Sequence, residues 1–137
     1  MQVSAAELLL KWVLRIFGAS ALAALVFVVA PYSWMDAIHQ WLGLGGLPRE
    51  PIVGYLARST SAFYAMQGGL SLVVSFDLRR FRPVLIYLGA VTVGFGLALG
   101  VVGWAVGLPR WWWLWEGPLD ALLGLLILLC ARRIPRG

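Results

Sequence analysis

The sequence predicts an all-α integral membrane protein, a four-transmembrane-helix bundle with a short interfacial helix in the first outer loop. Hydrophobic residues make up 61% of the 137 residues and charged residues only 12%, against roughly 25% charged residues in soluble domains. Four apolar stretches also reach the roughly 20 residues that a helix needs to cross a hydrocarbon core of about 30 Å. We therefore expect residues 1–137 to form a single membrane domain.

The four predicted spans cover residues 12–30, 52–76, 83–107 and 111–131. Pro31, Pro83 and Pro109 lie at span edges, where a missing amide donor costs little, whereas Pro118 lies inside the fourth span and is expected to kink it. The first span has basic residues before it, as a signal peptide does. Because Pro31 would directly follow the cut, we predict a retained helix.

Basic residues predict the orientation of the spans. Eight lie beside the first span, between the second and third, or after the fourth, whereas the opposite side has two in its loops. The positive-inside rule then places both termini on the cytoplasmic side of a bacterial inner membrane. The eight are Lys11, Arg15, Arg79, Arg80, Arg82, Arg132, Arg133 and Arg136, and the two are Arg49 and Arg110.

The loop between the first two spans is predicted to hold an amphipathic helix over residues 33–43. Apolar residues recur there at helical spacing, and such a helix lies along the membrane surface. Ser33 and Asp36 have the spacing of a capping box, and three glycines end the segment: Gly43, Gly45 and Gly46.

Glycines on the third span predict a close helix–helix contact. Small residues on one face let backbones approach in lipid. The partner is either another helix of the same chain, which we favour, or the third helix of a second copy in a homodimer. The face comprises Gly89, Gly96, Gly100, Gly103 and Gly107.

Three charged residues lie five or more residues inside predicted spans, where a charge costs about 2.5–3.5 kcal/mol at the centre. Arg58 lies in the second span, and Glu116 and Asp120 lie four residues apart in the fourth. At 1.5 Å per residue all three reach similar depths from the outer side. We expect Arg58 to bridge to one or both carboxylates, either as part of a binding site or as an ion pair that sets helix register.

Ser61, Tyr64 and Gln67 add polar groups to the second span, and lipid cannot satisfy them. Together with the three charged residues they predict an outward-opening polar pocket between the second and fourth spans. His39 and Arg49 are expected near its mouth. The alternative for the uncharged residues is ordinary hydrogen bonding between helices or to their own backbone.

The composition argues against several chemistries. One cysteine, Cys130, and one histidine, His39, cannot form a disulfide, a typical zinc shell or a bis-histidine haem site within the chain. We therefore expect no metal and no cofactor. The net charge of +5 accompanies apolar runs rather than a polar face, so no nucleic-acid partner is expected.

The order of motifs resembles the small four-helix bacterial membrane proteins grouped as DoxX-like, many of unknown function. The resemblance rests on Arg58 with Gly68 and Gly69, on Arg82-Pro83, on a glycine-rich third span, on Gly107-Leu108-Pro109, and on Glu116. It implies the four-helix fold and a site that faces a quinone or a lipid.

The sequence is compatible with three functions. The first, which we favour, is a non-catalytic protein that binds a lipid, a quinone or a partner protein at the polar pocket. The second is a small proton-coupled transporter that uses Glu116 or Asp120. The third is an intramembrane enzyme acting on a lipid headgroup, for which no nucleophile–base pair is visible.

Overall fold

The computed structural model describes residues 4–135, which form helices joined by turns, with no strand in that range. The chain divides by its contacts into two units. Unit 1 comprises residues 4–14 and 73–135, and unit 2 comprises Arg15–Leu72. The helices are α1 (Ala5–Leu22), α2 (Leu25–Val29), α3 (Tyr32–Trp41), α4 (Pro51–Val74), α5 (Arg82–Ala105) and α6 (Arg110–Arg133).

Prolines and glycines set the helix ends as their backbone chemistry dictates. Pro51 begins α4 and Pro83 lies in the first turn of α5, where the missing amide donor would have no partner in the helix. Gly43, Gly45 and Gly107 have φ between +74° and +83°, a region that residues with a side chain rarely adopt. The predicted boundaries of the last three spans lie within two residues of α4, α5 and α6.

The first predicted span differs most from the structure. Its helix begins at Ala5, seven residues before the predicted start at Trp12, and it is interrupted after Leu22. At the interruption the amides of Ala24, Val26 and Phe27 bond three residues back rather than four, which is the tighter 3₁₀ pattern.

Three segments within residues 4–135 are long and apolar enough to cross a membrane: Ala5–Val29, Arg82–Ala105 and Arg110–Arg133. These segments indicate a membrane protein. α4 has the same length as α5 and α6, at 24 residues, but it is not among them. Its hydroxyl, amide and guanidinium side chains are spread along the helix, so it contains no stretch as apolar as those of the other three segments.

In unit 1, α5 and α6 run antiparallel and in contact along their lengths. Gly89 faces Gly124 and Leu128, and Gly96 faces Gly117. A Cβ on Gly96 would lie 2.3 Å from the amide nitrogen of Ala121, so the backbones meet only because that side chain is missing. An apolar core lies at the end of unit 1 where α1 and α5 begin and α6 ends, and it includes Leu10, Leu14, Leu85, Ile127 and Ile134.

In unit 2, α1 and α4 meet at a second pair of glycines. A Cβ on Gly68 would lie 2.5 Å from both the carbonyl oxygen of Gly18 and the amide nitrogen of Leu22. The sequence interpretation did not assign Gly68 to a helix contact, because one small residue on a polar helix gives no periodic signal of its own.

The loop between α3 and α4 in unit 2 is held by side chains of α3. The carboxylate of Asp36 accepts the amide of Leu47 at 2.7 Å and the side-chain amide of Gln40 at 3.0 Å. The predicted capping box of Ser33 and Asp36 is wrong, because Pro31 is the N-cap and no side chain caps α3. Asp36 instead faces the returning loop, a contact that local spacing does not reveal.

Candidate functional site

An apolar groove of about 590 Å³ lies between α5 and α6 in unit 1. Its floor is glycine backbone, because Gly96, Gly100 and Gly117 carry no side chains to fill the space between the helices. Its walls are mostly exposed apolar side chains. The lining residues are Gly96, Leu97, Gly100, Val101, Trp104, Trp113, Gly117, Pro118, Ala121 and Leu122.

The groove occupies one half of the two helices. It runs from Gly96 to Trp104 near the end of α5 and from Trp113 to Leu122 near the start of α6. Trp104 is 67% exposed at its rim. Tryptophan favours the headgroup level of a bilayer, where one side of the indole is apolar and its N–H is wet. The groove is therefore apolar along its length and aromatic at one end.

The five glycines predicted as a packing face have different surroundings. Gly89, Gly96 and Gly103 are buried, and each would place a Cβ less than 3.0 Å from α6 atoms. A Cβ on Gly100 would meet nothing within 4 Å, although Gly117 lies against its backbone. Gly107 ends the turn after α5 with a positive φ. The face of α5 thus contacts α6 of the same chain, and Gly100 opens into the groove.

Glu116 and Asp120 lie on α6 in unit 1 with different surroundings. Glu116 accepts the indole N–H of Trp112 at 2.6 Å, a bond within one turn of the helix. Asp120 is partly buried and makes no hydrogen bond or ion pair with any residue between 4 and 135. A carboxylate without a partner inside an apolar helix is costly and calls for an explanation.

Arg58 lies on α4 in unit 2 and donates to the backbone. Its guanidinium nitrogens lie 2.5 Å from the carbonyl oxygen of Val28 and 3.0 Å from that of Ala30. Both carbonyls are at the end of α2, where the helix has no further amides to offer and Pro31 has none. The guanidinium also lies at the negative end of that helix. The predicted bridge from Arg58 to Glu116 or Asp120 joins different units and stays a prediction.

The other polar residues of α4 bond mainly along their own helix. The hydroxyl of Ser61 donates to the carbonyl oxygen of Ala57 at 2.9 Å, and that of Ser71 donates to Gln67 at 3.0 Å. Tyr64 is partly buried, and the side chain of Gln67 is exposed. Back-bonding of this kind satisfies a hydroxyl in an apolar medium without a ligand.

His39 and Arg49, predicted at the pocket mouth, belong to the α3 region. The Nδ1 atom of His39 lies 2.9 Å from the carbonyl oxygen of Gly45. Arg49 borders a shallow pocket of about 570 Å³ with Tyr32 and Asp36. The hydrogen bond from the Leu47 amide, followed by that from Gln40, lowers the pKa of Asp36. The Tyr32 hydroxyl donates to the carbonyl oxygens of Leu47 and Pro48.

The sequence interpretation missed Glu7, the buried charged residue at the start of α1. Its carboxylate accepts from Arg79 at 2.7 Å and from the amide of Ser4 at 2.8 Å, while its own amide donates to the Ser4 hydroxyl. The last two contacts form a capping box. The spacing of Ser4 and Glu7 was a visible signal, but this stretch was assigned to the flank of the first span.

Comparison of the chain with protein-family models, with curated proteins and with solved structures gives no match. The resemblance to DoxX-like proteins therefore depends on the sequence motifs alone.

Proposed function

We propose that this protein is a non-catalytic membrane protein that binds the hydrocarbon chain of a lipid or a quinone in the groove between α5 and α6. The observation that supports this proposal is the groove itself, which has a glycine floor, apolar walls and a tryptophan at its rim. It lies on two segments apolar enough to cross a membrane. The medium that surrounds such a segment is hydrocarbon, so an acyl or isoprenoid chain is the ligand that its walls suit.

The proposal includes four spans in a bacterial inner membrane, with both termini cytoplasmic and α3 at the outer surface. α4 is 24 residues long, which at 1.5 Å per residue gives about 36 Å, enough for a core of about 30 Å. Its serines bond within the helix and Arg58 bonds to α2, which lowers the cost of placing these groups in lipid. When α4 is counted as a span, eight basic residues lie on the cytoplasmic side and two on the opposite side, in agreement with the positive-inside rule.

The groove proposal can be tested by filling the groove without pushing the helices apart. Gly100→Leu adds a side chain where a Cβ meets open space, and Gly94→Leu is the matched control, because Gly94 also has open space around its Cβ and does not line the groove. Protein extracted with its native lipids is analysed by native mass spectrometry. Chromatography of the released molecules then separates phospholipids from quinones.

We expect a retained molecule in the wild type and in Gly94→Leu, and its loss in Gly100→Leu. Equal retention by both variants, or no retained molecule in the wild type, would contradict the proposal. If a second copy of the chain occupied the groove instead of a lipid, the wild type would be a dimer and Gly100→Leu would be a monomer. This result would also contradict a hydrocarbon ligand in the groove.

One observation favours proton-coupled transport as the second candidate. Asp120 has no hydrogen-bond or ion-pair partner within residues 4–135, and it lies in a segment apolar enough to span. Carboxylates in such places carry protons in pumps and transporters. Protein in liposomes with a pH-sensitive dye inside would release protons down a gradient, and Asp120→Asn would abolish the flux. A proton flux that Asp120→Asn leaves unchanged would contradict this role of Asp120.

A further inference from the structure

The last turn of α6 presents two arginines at the end of an exposed helix face. Arg132 and Arg133 are the last two residues of α6, and both are exposed. Neither side chain has a hydrogen bond or ion pair with any residue from 4 to 135. Their positive charges are therefore available to an external partner.

The leucines before these arginines lie on the same face. Leu122, Leu125 and Leu129 are 64%, 44% and 46% exposed, and steps of three and four residues carry this row on to Arg132 and Arg133. The distance from Leu122 to Arg132 is ten residues, or about 15 Å along the axis. That length is half of a hydrocarbon core of about 30 Å, so the leucine row spans the depth of one leaflet.

Neighbouring residues add positive charge to this end of unit 1. The Nε atom of Arg82 donates to the carbonyl oxygen of Ala131 at 3.1 Å, which places a third guanidinium beside the end of α6. Glu7 accepts from Arg79, and Asp77 accepts the backbone amide of Arg80. Among residues 4–135, no carboxylate forms an ion pair with Arg132 or Arg133.

We propose that this face of α6 binds an anionic phospholipid, with its phosphate on Arg132 and Arg133 and an acyl chain along Leu122, Leu125 and Leu129. Guanidinium groups match phosphate oxygens in charge and in geometry. Basic residues at the end of a span are attracted to anionic headgroups in the adjoining leaflet. The site depends on α6 crossing the membrane. It shares Leu122 with the groove between α5 and α6, but its two arginines lie at the other end of α6.

Charge selects a phospholipid over a second copy of the chain as the occupant. In a two-fold dimer about an axis normal to the membrane, the same residues of both copies meet. Such a contact on this face would bring four guanidinium groups from Arg132 and Arg133 together. An anionic headgroup instead neutralises them, and a zwitterionic headgroup does so less completely.

The test compares two lipids that differ in headgroup charge and share the same chains. Delipidated protein is titrated with dioleoyl phosphatidylglycerol or with dioleoyl phosphatidylcholine, and bound lipid is counted by native mass spectrometry. The variant is Arg132→Gln with Arg133→Gln. Its control is Arg110→Gln, which removes a positive charge from the opposite end of α6. Insertion is complete before purification, so the role of these arginines in orienting the chain does not enter the comparison.

We expect wild type and control to bind phosphatidylglycerol at least tenfold more tightly than phosphatidylcholine, and the Arg132/Arg133 variant to lose this preference. Equal binding of the two lipids by wild type, or an unchanged preference in the variant, would overturn the proposal. Should the double variant fail to fold, the single variants Arg132→Gln and Arg133→Gln decide the question, since each is expected to lose part of the preference.

Discussion

Glu7 and Arg79, 72 positions apart in the chain, form an ion pair in which Nε lies 2.7 Å from Oε1 and Nη2 lies 3.3 Å from Oε2. The Glu7 residue is 5% exposed, and its carboxylate also accepts the amide of Ser4. The pair ties the start of α1 to the turn that precedes α5.

Removal of Glu7 is expected to destabilise the protein. In Glu7→Ala the amide of Ser4 and the guanidinium of Arg79 both lose the Glu7 carboxylate, which is expected to cost about 1–3 kcal/mol. Unfolding in a mild detergent titrated with a denaturing one measures the change. A double-mutant cycle with Arg79→Ala is expected to be non-additive, whereas additive effects would contradict a direct pair.

Gly96 and Gly94 provide a matched test of the contact between α5 and α6. A Cβ on Gly96 would lie 2.5 Å from the carbonyl oxygen of Gly117, so Gly96→Ala must push the helices apart, whereas a Cβ on Gly94 meets nothing within 4 Å. We expect Gly96→Ala to lower the free energy of unfolding by about 1–3 kcal/mol. Gly94→Ala should leave it unchanged or raise it, by up to about 1 kcal/mol. The same detergent titration measures both variants, and equal effects would contradict the packing.

The hydrogen bonds of Arg58 predict that its substitution changes the free energy of unfolding by the same amount whether or not Glu116 and Asp120 are present. Arg58→Gln loses charged donors to Val28 and Ala30 and is expected to cost about 1.5–3 kcal/mol. Combined with Glu116→Gln or Asp120→Asn, its effect should add within about 0.5 kcal/mol. A larger coupling would establish the bridge predicted from the sequence, which these backbone contacts do not require.

Asp36 is expected to make the loop before α4 sensitive to acid. Because the amide of Leu47 and then Gln40 lower its pKa, the contribution of its carboxylate to stability is complete above its ordinary value of 3.8. That contribution is lost as the pH falls through the lower value of the folded protein. Hydrogen exchange at Leu47, corrected for intrinsic rate, should therefore accelerate several-fold below about pH 4.

Two substitutions on α3 check this assignment. Asp36→Ala removes the acceptor and should give fast exchange at Leu47 at every pH. Ser33→Ala should have no effect, because no side chain caps α3. Fast exchange in Ser33→Ala, or protection of Leu47 in Asp36→Ala, would be inconsistent with these contacts.

The elements that local chemistry controls could be predicted from the sequence. The ends of α4, α5 and α6 were predicted within two residues, because prolines and the change from charged to apolar residues act on their immediate neighbours. The helix after Pro31 was predicted from apolar residues at helical spacing, which is also a local signal. Apolar length and low charge likewise predicted a membrane protein, since a bilayer imposes them on any helix that crosses it.

The contacts between distant residues are visible only in the folded structure. Three such contacts join segments that are separated in the chain: Glu7 with Arg79, Asp36 with Leu47, and Arg58 with Val28. No spacing rule reports them, because each depends on how helices or loops come together in space. The groove also depends on how helices pack. The sequence shows glycines at regular intervals along α5. Only the packed pair of α5 and α6 shows that α6 backbone lies against Gly96, whereas the space beside Gly100 is open.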